Sequence, residues 1–334
     1  MRRGGYDTVI DVRSPSEFTR DHIPGALNLP VLNDAERSQV GALYARETFA
    51  ARQLGASLIA ANIAQHIRSC CAGRPRNWRP LLYCWRGGQR SRSFALILQE
   101  IGWKAAILEG GWRAYRQQVV ADMESLCAER QFHLVSGLTG VGKSRLLRWL
   151  AERGENVLDL ETLAVHRGSL FGGEPGAHQP TQKHFESRIW DSLHRTDAAR
   201  PVWVEAESHR LGRLLLPGPL WHAMLAGPVT EILAPLEARV EALLADYAHW
   251  REQPGAVQAV LPGLIGPHSR TQVAEWESLV RAGRWRDWLN SLLQVHYDPR
   301  YRAAHAFRKP SRQLMIEAVD ERSFAAAWPP HVIG

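Results

Sequence analysis

Cys84 ends an apolar run, Pro80–Cys84, and is followed by Trp85-Arg86-Gly87-Gly88-Gln89-Arg90 before a helical pattern begins at 91. A loop turning from a strand end into a helix N-terminus aims several backbone N–H groups at its centre, and the helix dipole adds partial positive charge. With Arg86 and Arg90 in the same loop, the Cys84 thiol is expected to have a depressed pKa and to react as a thiolate. Such a thiolate attacks or holds an electrophilic chalcogen or phosphorus atom. A free cysteine is more often an inert core residue, but a loop this rich in glycine and arginine does not suit a packed core. Cys84, Arg86 and Arg90 are therefore the catalytic candidates, with Gly87 and Gly88 as backbone contacts to a bound anion.

A second loop, Gly137-Leu138-Thr139-Gly140-Val141-Gly142-Lys143-Ser144, fits G-x-x-x-x-G-K-[ST] at every position, after an apolar HLVS run and before a helical RLLRWLAERG run. Gly137, Gly140 and Gly142 let backbone amides close on a phosphate, Lys143 neutralises the outer phosphate, and Ser144 reaches a Mg²⁺ ion. The carboxylate on the metal side is open: NVLDLE offers Asp159 and Glu161, and VWVEAES offers Glu205 and Glu207. Glu205 is paired with Ser144 as the expected metal site. Lys143 is one of four lysines (Lys104, Lys143, Lys183, Lys309) among 41 basic residues, so each marks a position where Arg has not taken over.

Both loops need a strand–turn–helix scaffold, and the chain supplies it twice. Apolar runs at 9–12, 80–84 and 105–108 alternate with helical patterns at 48–68 and 91–101, and an amphipathic stretch at 112–129 leads to the next strand at 133–136. Strands at 156–160 and 201–206 flank a helical run at 181–195. The reading is α/β throughout: a first domain over 1–125, and a P-loop domain over 126–334 with a helical region at about 229–295. The chain's 334 residues suit two domains at roughly 150 residues each. Residues 1–121 carry 17 Lys and Arg against 9 Asp and Glu, a surplus of eight, whereas the remainder is nearly balanced. That asymmetry points to a polyanionic partner such as RNA, with Arg74, Arg76 and Arg79 beside Trp78 as candidates for phosphate and base contacts. Trp250, Trp276, Trp285 and Trp288 fit helix faces and are read first as core. Apolar runs are short and broken by Pro and Gly, and no signal-peptide pattern opens the chain, which predicts a cytoplasmic protein without a membrane span. Four cysteines without C-x-x-C spacing suit neither a zinc site nor a disulfide scaffold.

The run Val9-Ile10-Asp11-Val12-Arg13-Ser14-Pro15-Ser16-Glu17-Phe18, with His22-Ile23-Pro24-Gly25-Ala26 after it, resembles the opening motif of rhodanese domains. Glu109-Gly110-Gly111-Trp112 resembles the turn that closes that fold. The Cys84 loop has five residues between Cys and Arg rather than the four of common sulfurtransferases, a wider ring of the kind cysteine phosphatases use for a tetrahedral phosphate. Joined to a P-loop domain, this arrangement resembles the tRNA 2-selenouridine synthase family. The segment Leu158–Gly172 with its His166-Arg167-Gly168-Ser169, the run Glu205-Ala206-Glu207-Ser208, and Tyr297-Asp298-Pro299-Arg300-Tyr301 resemble its signatures. The resemblance implies replacement of sulfur by selenium at a tRNA wobble uridine. Geranyl diphosphate, held by the P-loop with Mg²⁺, would first alkylate the 2-thiouridine sulfur. Selenophosphate, held by the Cys84 loop, would then supply selenium. It also implies His166 and Arg167 as anion contacts.

Three other readings compete. A phosphatase has the same Cys-x₅-Arg geometry but needs a carboxylic acid that WRGGQRSRS does not contain. A P-loop kinase or NTPase with a rhodanese-like module kept only for binding would not need Cys84 and both arginines. A non-catalytic RNA-binding scaffold would need neither loop.

Overall fold

The computed structural model describes residues 5–166, 178–206, 208–305 and 309–328. Two parallel sheets organise it, as the alternating strand and helix patterns require. The first has strand order β2-β1-β3-β4, from β1 (Thr8–Asp11), β2 (Leu27–Asn28), β3 (Pro80–Tyr83) and β4 (Ala106–Ile107). Its two central strands, β1 and β3, are almost wholly buried, as continuous apolar runs in a sheet covered on both faces should be. Ile10, Val12, Leu82, Phe94 and Leu98 pack the core between sheet and helices.

The second sheet has order β11-β10-β5-β7-β6 and is also parallel. It comprises β5 (Phe132–Ser136), β6 (Asn156–Leu158), β7 (Val202–Glu205), β10 (Val229–Leu233) and β11 (Arg312–Met315). A small antiparallel hairpin, β8 (Arg210–Leu211) with β9 (Leu214–Leu215), precedes β10. β5 is central, so the loop after it opens at the carboxyl end of the sheet with a strand on either side, where open α/β sheets bind ligands.

The region expected to be helical from about 229 begins instead with β10. Val229, Thr230 and Ile232 are β-branched residues that bury against β5 and β11, and the helices start only at Leu236. β11 lies outside the sequence reading because its four residues gain their place only by pairing with β10. The expected tryptophan role is settled in favour of packing: Trp250, Trp276 and Trp288 are buried in one helical core, and Trp285 packs against it.

The first compact unit is Met1–Glu124 with Pro180–Asp191, and the second is Ser125–Gln179 with Ser192–Gly334. Most of the helix Gln182–His194, which the sequence places after the P-loop, therefore belongs with the first sheet. Among the described residues no helix is long and apolar enough to cross a membrane.

Candidate active site

The helix Gln89–Ile101 starts directly after the Cys84 loop, with Gly88 at its N-cap. Cys84 is buried at the end of β3. Its Sγ accepts hydrogen bonds from the Gly88 N–H at 3.1 Å and from the Ser91 hydroxyl at 3.3 Å. Burial by itself pushes the thiol pKa up. The Ser91 hydroxyl, the amides of Ser91 and Arg86, and the Arg90 charge outweigh burial, so the pKa lies below the ordinary value. The loop's underside rests on the Gly110-Gly111 turn. A Cβ at Gly111, whose φ is +58°, would collide with the Cys84 carbonyl, so this position admits only glycine. A Cβ at Gly88, by contrast, would meet none of the described residues within 4 Å, and the loop is open on that side.

The two loop arginines play different parts. Arg86 contributes its amide to the thiol, whereas its side chain is exposed. Arg90 Nη1 donates to Glu17 Oε2 at 2.8 Å. Burial works against ionisation of Glu17, but Arg90, the Ser14 N–H and Arg13 hold its pKa below the usual value, so it stays a carboxylate. The Asp11 and Arg13 of the opening motif form a buried ion pair at 2.6 Å, and Arg13 also donates to the Asp21 carbonyl. These residues build the fold; Glu17 alone in that motif reaches the loop arginine. Ser91 and Glu17 are the residues that sequence reasoning did not assign, although both stand in quoted motifs.

In the second unit, Gly137, Gly140 and Gly142 all take positive φ, and Gly142 caps the helix Lys143–Glu152. A side chain at Gly142 would strike Val319. Lys143 Nζ donates to the Gly137 carbonyl at 3.0 Å and lies 3.3 Å from Glu205 Oε1. The Ser144 hydroxyl lies 2.7 Å from Glu161 Oε2 and 3.3 Å from Glu205 Oε2. Burial, then the neighbouring Glu205, pushes the Glu161 pKa up to about 8. A buried carboxylate, Glu205, a half-buried one, Glu161, and a hydroxyl facing one another are a hard-oxygen donor set suited to a divalent cation completed by phosphate and water. Of the four carboxylates in question, Asp159 caps the following helix through Thr162 instead, and Glu207 lies outside the described residues.

The Tyr297–Tyr301 signature explains itself here. The Gly137 N–H donates to the Tyr301 hydroxyl at 2.8 Å, and Lys143 Nζ lies 5.4 Å from the Tyr301 ring centre. Asp298 binds the buried Arg239 through two hydrogen bonds of 2.8 Å, and Arg239 donates on to the Thr139 carbonyl of the loop. His166, by contrast, is half-buried beside Gly212 and Gln179, and burial lowers its pKa. Arg167 lies outside the described residues. Trp78 is buried with its Nε1 donating to Thr8, so it offers no face to a base; Arg74, Arg76 and Arg79 are exposed.

Fold and loops together define a rhodanese-like domain joined to a P-loop α/β domain. A family model described as a rhodanese-like domain matches residues 1–118, and one described as the tRNA 2-selenouridine synthase AAA domain matches residues 130–259. Proteins named tRNA 2-selenouridine synthase from Bdellovibrio bacteriovorus and Alcanivorax borkumensis are 32% and 34% identical to this chain, each over 88% of it and over 87% and 88% of their own lengths. One of the same name from Nitrosomonas europaea is 35% identical over 72% of this chain, a match spanning 63% of that relative's length. The chain belongs to the tRNA 2-selenouridine synthase family.

Proposed function

We propose that the protein is a tRNA-modifying transferase, a tRNA 2-selenouridine synthase that replaces the sulfur of wobble 2-thiouridine with selenium through an S-geranyl intermediate. The observation that carries this reading is that one chain holds an ionisable thiol in an amide-lined loop and, separately, a phosphate loop whose Lys143 and Ser144 face two carboxylates. The two loops match two donors. At the phosphate loop, the thiocarbonyl sulfur attacks C1 of geranyl diphosphate and the C–O bond breaks. Lys143 and the loop amides take up the charge of the departing diphosphate. A Mg²⁺ ion held by Ser144, Glu161 and Glu205 would add Lewis-acid stabilisation to that leaving group.

At the other loop, the amides and Arg90 hold the phosphoryl oxygens of selenophosphate, a geometry that a planar guanidinium meets with two hydrogen bonds. Selenium attacks C2 of the base and the S-geranyl group leaves as geranylthiolate, which takes a proton from solvent; Cys84, kept ionised by Ser91, then attacks the phosphorus, the Se–P bond breaks to leave 2-selenouridine, and water releases the cysteinyl phosphate as inorganic phosphate. Glu17 is held as a carboxylate by Arg90, so it lacks the proton that a cysteine phosphatase's acid must deliver. No step consumes ATP. The test incubates purified protein with tRNA bearing 2-thiouridine, geranyl diphosphate, selenophosphate and Mg²⁺ without nucleotide, and reads nucleosides by mass spectrometry. 2-Selenouridine is the expected product; product only when ATP is added would favour the P-loop NTPase reading.

A further inference from the structure

Trp85 is 39% exposed, although it follows a buried catalytic candidate directly in sequence. One face of its ring is stacked on buried Trp112, with centroids 4.7 Å apart and planes 28° from parallel. Trp112 is itself fixed: its Nε1 donates to Asp21 Oδ2 at 3.0 Å, its backbone N–H donates to the Cys84 carbonyl at 2.8 Å, and the Arg113 N–H donates to the Trp85 carbonyl at 3.0 Å. Exposed Lys183, from the segment that joins the first compact unit, has its Nζ 5.8 Å from the Trp112 ring centre. The helix carrying it is tied to the same unit by the Arg116 ion pair with Glu186 and by the bond from Arg116 Nη1 to the Lys183 carbonyl. Lys183 is also one of the four positions where this Arg-rich chain keeps a lysine.

A large, partly exposed ring stacked on a rigid partner, next to exposed Arg86 and with Lys183 against that partner ring, is the kind of arrangement on which unpaired nucleobases stack. Trp78, which stands beside the candidate arginines Arg74, Arg76 and Arg79, is buried. We propose that Trp85, backed by Trp112, is the stacking platform that holds the extruded wobble base beside Cys84, and that Lys183 pairs with a phosphate flanking that base. The proposal rests on the tRNA reading above. It also gives the Pro180–Asp191 segment a purpose in the first unit, since that segment brings the phosphate contact to the Cys84 loop. Trp85 and Lys183 are positioning residues: neither exchanges an atom with the substrate.

The test measures binding of the full-length protein, by fluorescence anisotropy, to two labelled anticodon stem–loops of one sequence. One carries 2-thiouridine at the wobble position and the other an abasic site there. Trp85→Leu is expected to weaken binding of the base-bearing stem–loop about 10-fold and to leave the abasic one unchanged. Trp85→Phe should retain most of the affinity. Lys183→Ala should weaken both stem–loops and reduce the salt dependence by about one phosphate contact. The pH profile of Cys84 alkylation should be the same in all three variants, which shows that the loop is intact. Equal weakening of both stem–loops by Trp85→Leu, or none, overturns the platform. Base-dependent binding through Trp85 in a protein that forms no 2-selenouridine upholds the platform and overturns only the selenium chemistry; a wild-type protein that binds neither stem–loop overturns both.

Discussion

Burial raises a thiol pKa, and Cys84 is buried; its pKa nevertheless falls because Ser91, two amides and Arg90 act together on the sulfur. Replacing Ser91 by Ala removes the hydroxyl that lies 3.3 Å from Sγ while leaving the loop backbone in place. The midpoint of Cys84 alkylation by iodoacetamide, followed against pH, is expected to move upward, and alkylation at pH 7 to slow. A profile identical to wild type would show that the amides and Arg90 set the thiolate without the Ser91 hydroxyl. The sequence made Cys84 and Arg90 legible because the type and spacing of the loop residues carry the chemistry. It did not reveal Ser91 or Glu17. Ser91 lies in the first turn of a helix whose start could be placed only to within a few residues, and Glu17 reaches Arg90 across 73 positions.

At the scale of elements, the phosphate loop is held by parts of the chain far from it. Asp298 and Arg239 form a buried, doubly hydrogen-bonded pair that ends on the Thr139 carbonyl. Removing one partner leaves an uncompensated charge, so Asp298→Ala should cost about 3–5 kcal/mol of stability in urea unfolding. A loss within ~0.5 kcal/mol, the range of ordinary surface changes, would show that the pair is not a support. The Glu161–Glu205–Ser144 cluster makes a separate prediction. Because the folded-state pKa of Glu161 is raised to about 8 from an ordinary 4.5, the unfolded chain releases this proton first as pH rises. Its contribution to stability is therefore complete below pH ~4.5 and is lost as pH climbs through about 8. Mg²⁺ should raise the Tm more at pH 8 than at pH 5, and Glu161→Gln should abolish that difference. Equal Mg²⁺ effects at both pH values would place the cation elsewhere. The sequence showed β5, its loop and the following helix, because a local pattern specifies all three. It did not show β10 as a strand or β11 at all, since their place is fixed by pairing over some 80 residues, for example Thr230 with Arg312.

Across the whole molecule, the surplus of eight positive charges in the first 121 residues is arithmetic that any reading of the chain provides. With the proposed tRNA substrate, that surplus is expected to make affinity fall steeply with salt, and replacing exposed Arg74, Arg76 and Arg79 together by Ala should lower the slope of log K against log salt by about two. An unchanged slope would mark these arginines as a solvated face. The division into compact units was only partly legible. An amphipathic pattern predicts a helix at 182–194 but does not say which sheet it joins, and the structure clusters Pro180–Asp191 with the first.

The central claim is that the two loops serve two successive steps on one base, and Lys143 separates them most directly. Its ammonium donates to the Gly137 carbonyl and faces Glu205. A single-turnover assay would compare Lys143→Ala with Cys84→Ala on tRNA bearing 2-thiouridine and on tRNA already bearing S-geranyl-2-thiouridine, with nucleosides read by mass spectrometry. Lys143→Ala is expected to form no S-geranyl product from the first tRNA, yet to convert the second to 2-selenouridine at close to the wild-type rate. Cys84→Ala should geranylate the first and selenate neither. Failure of the pre-alkylated tRNA to rescue Lys143→Ala, or full selenation by Cys84→Ala, would contradict the assignment of one loop to each step.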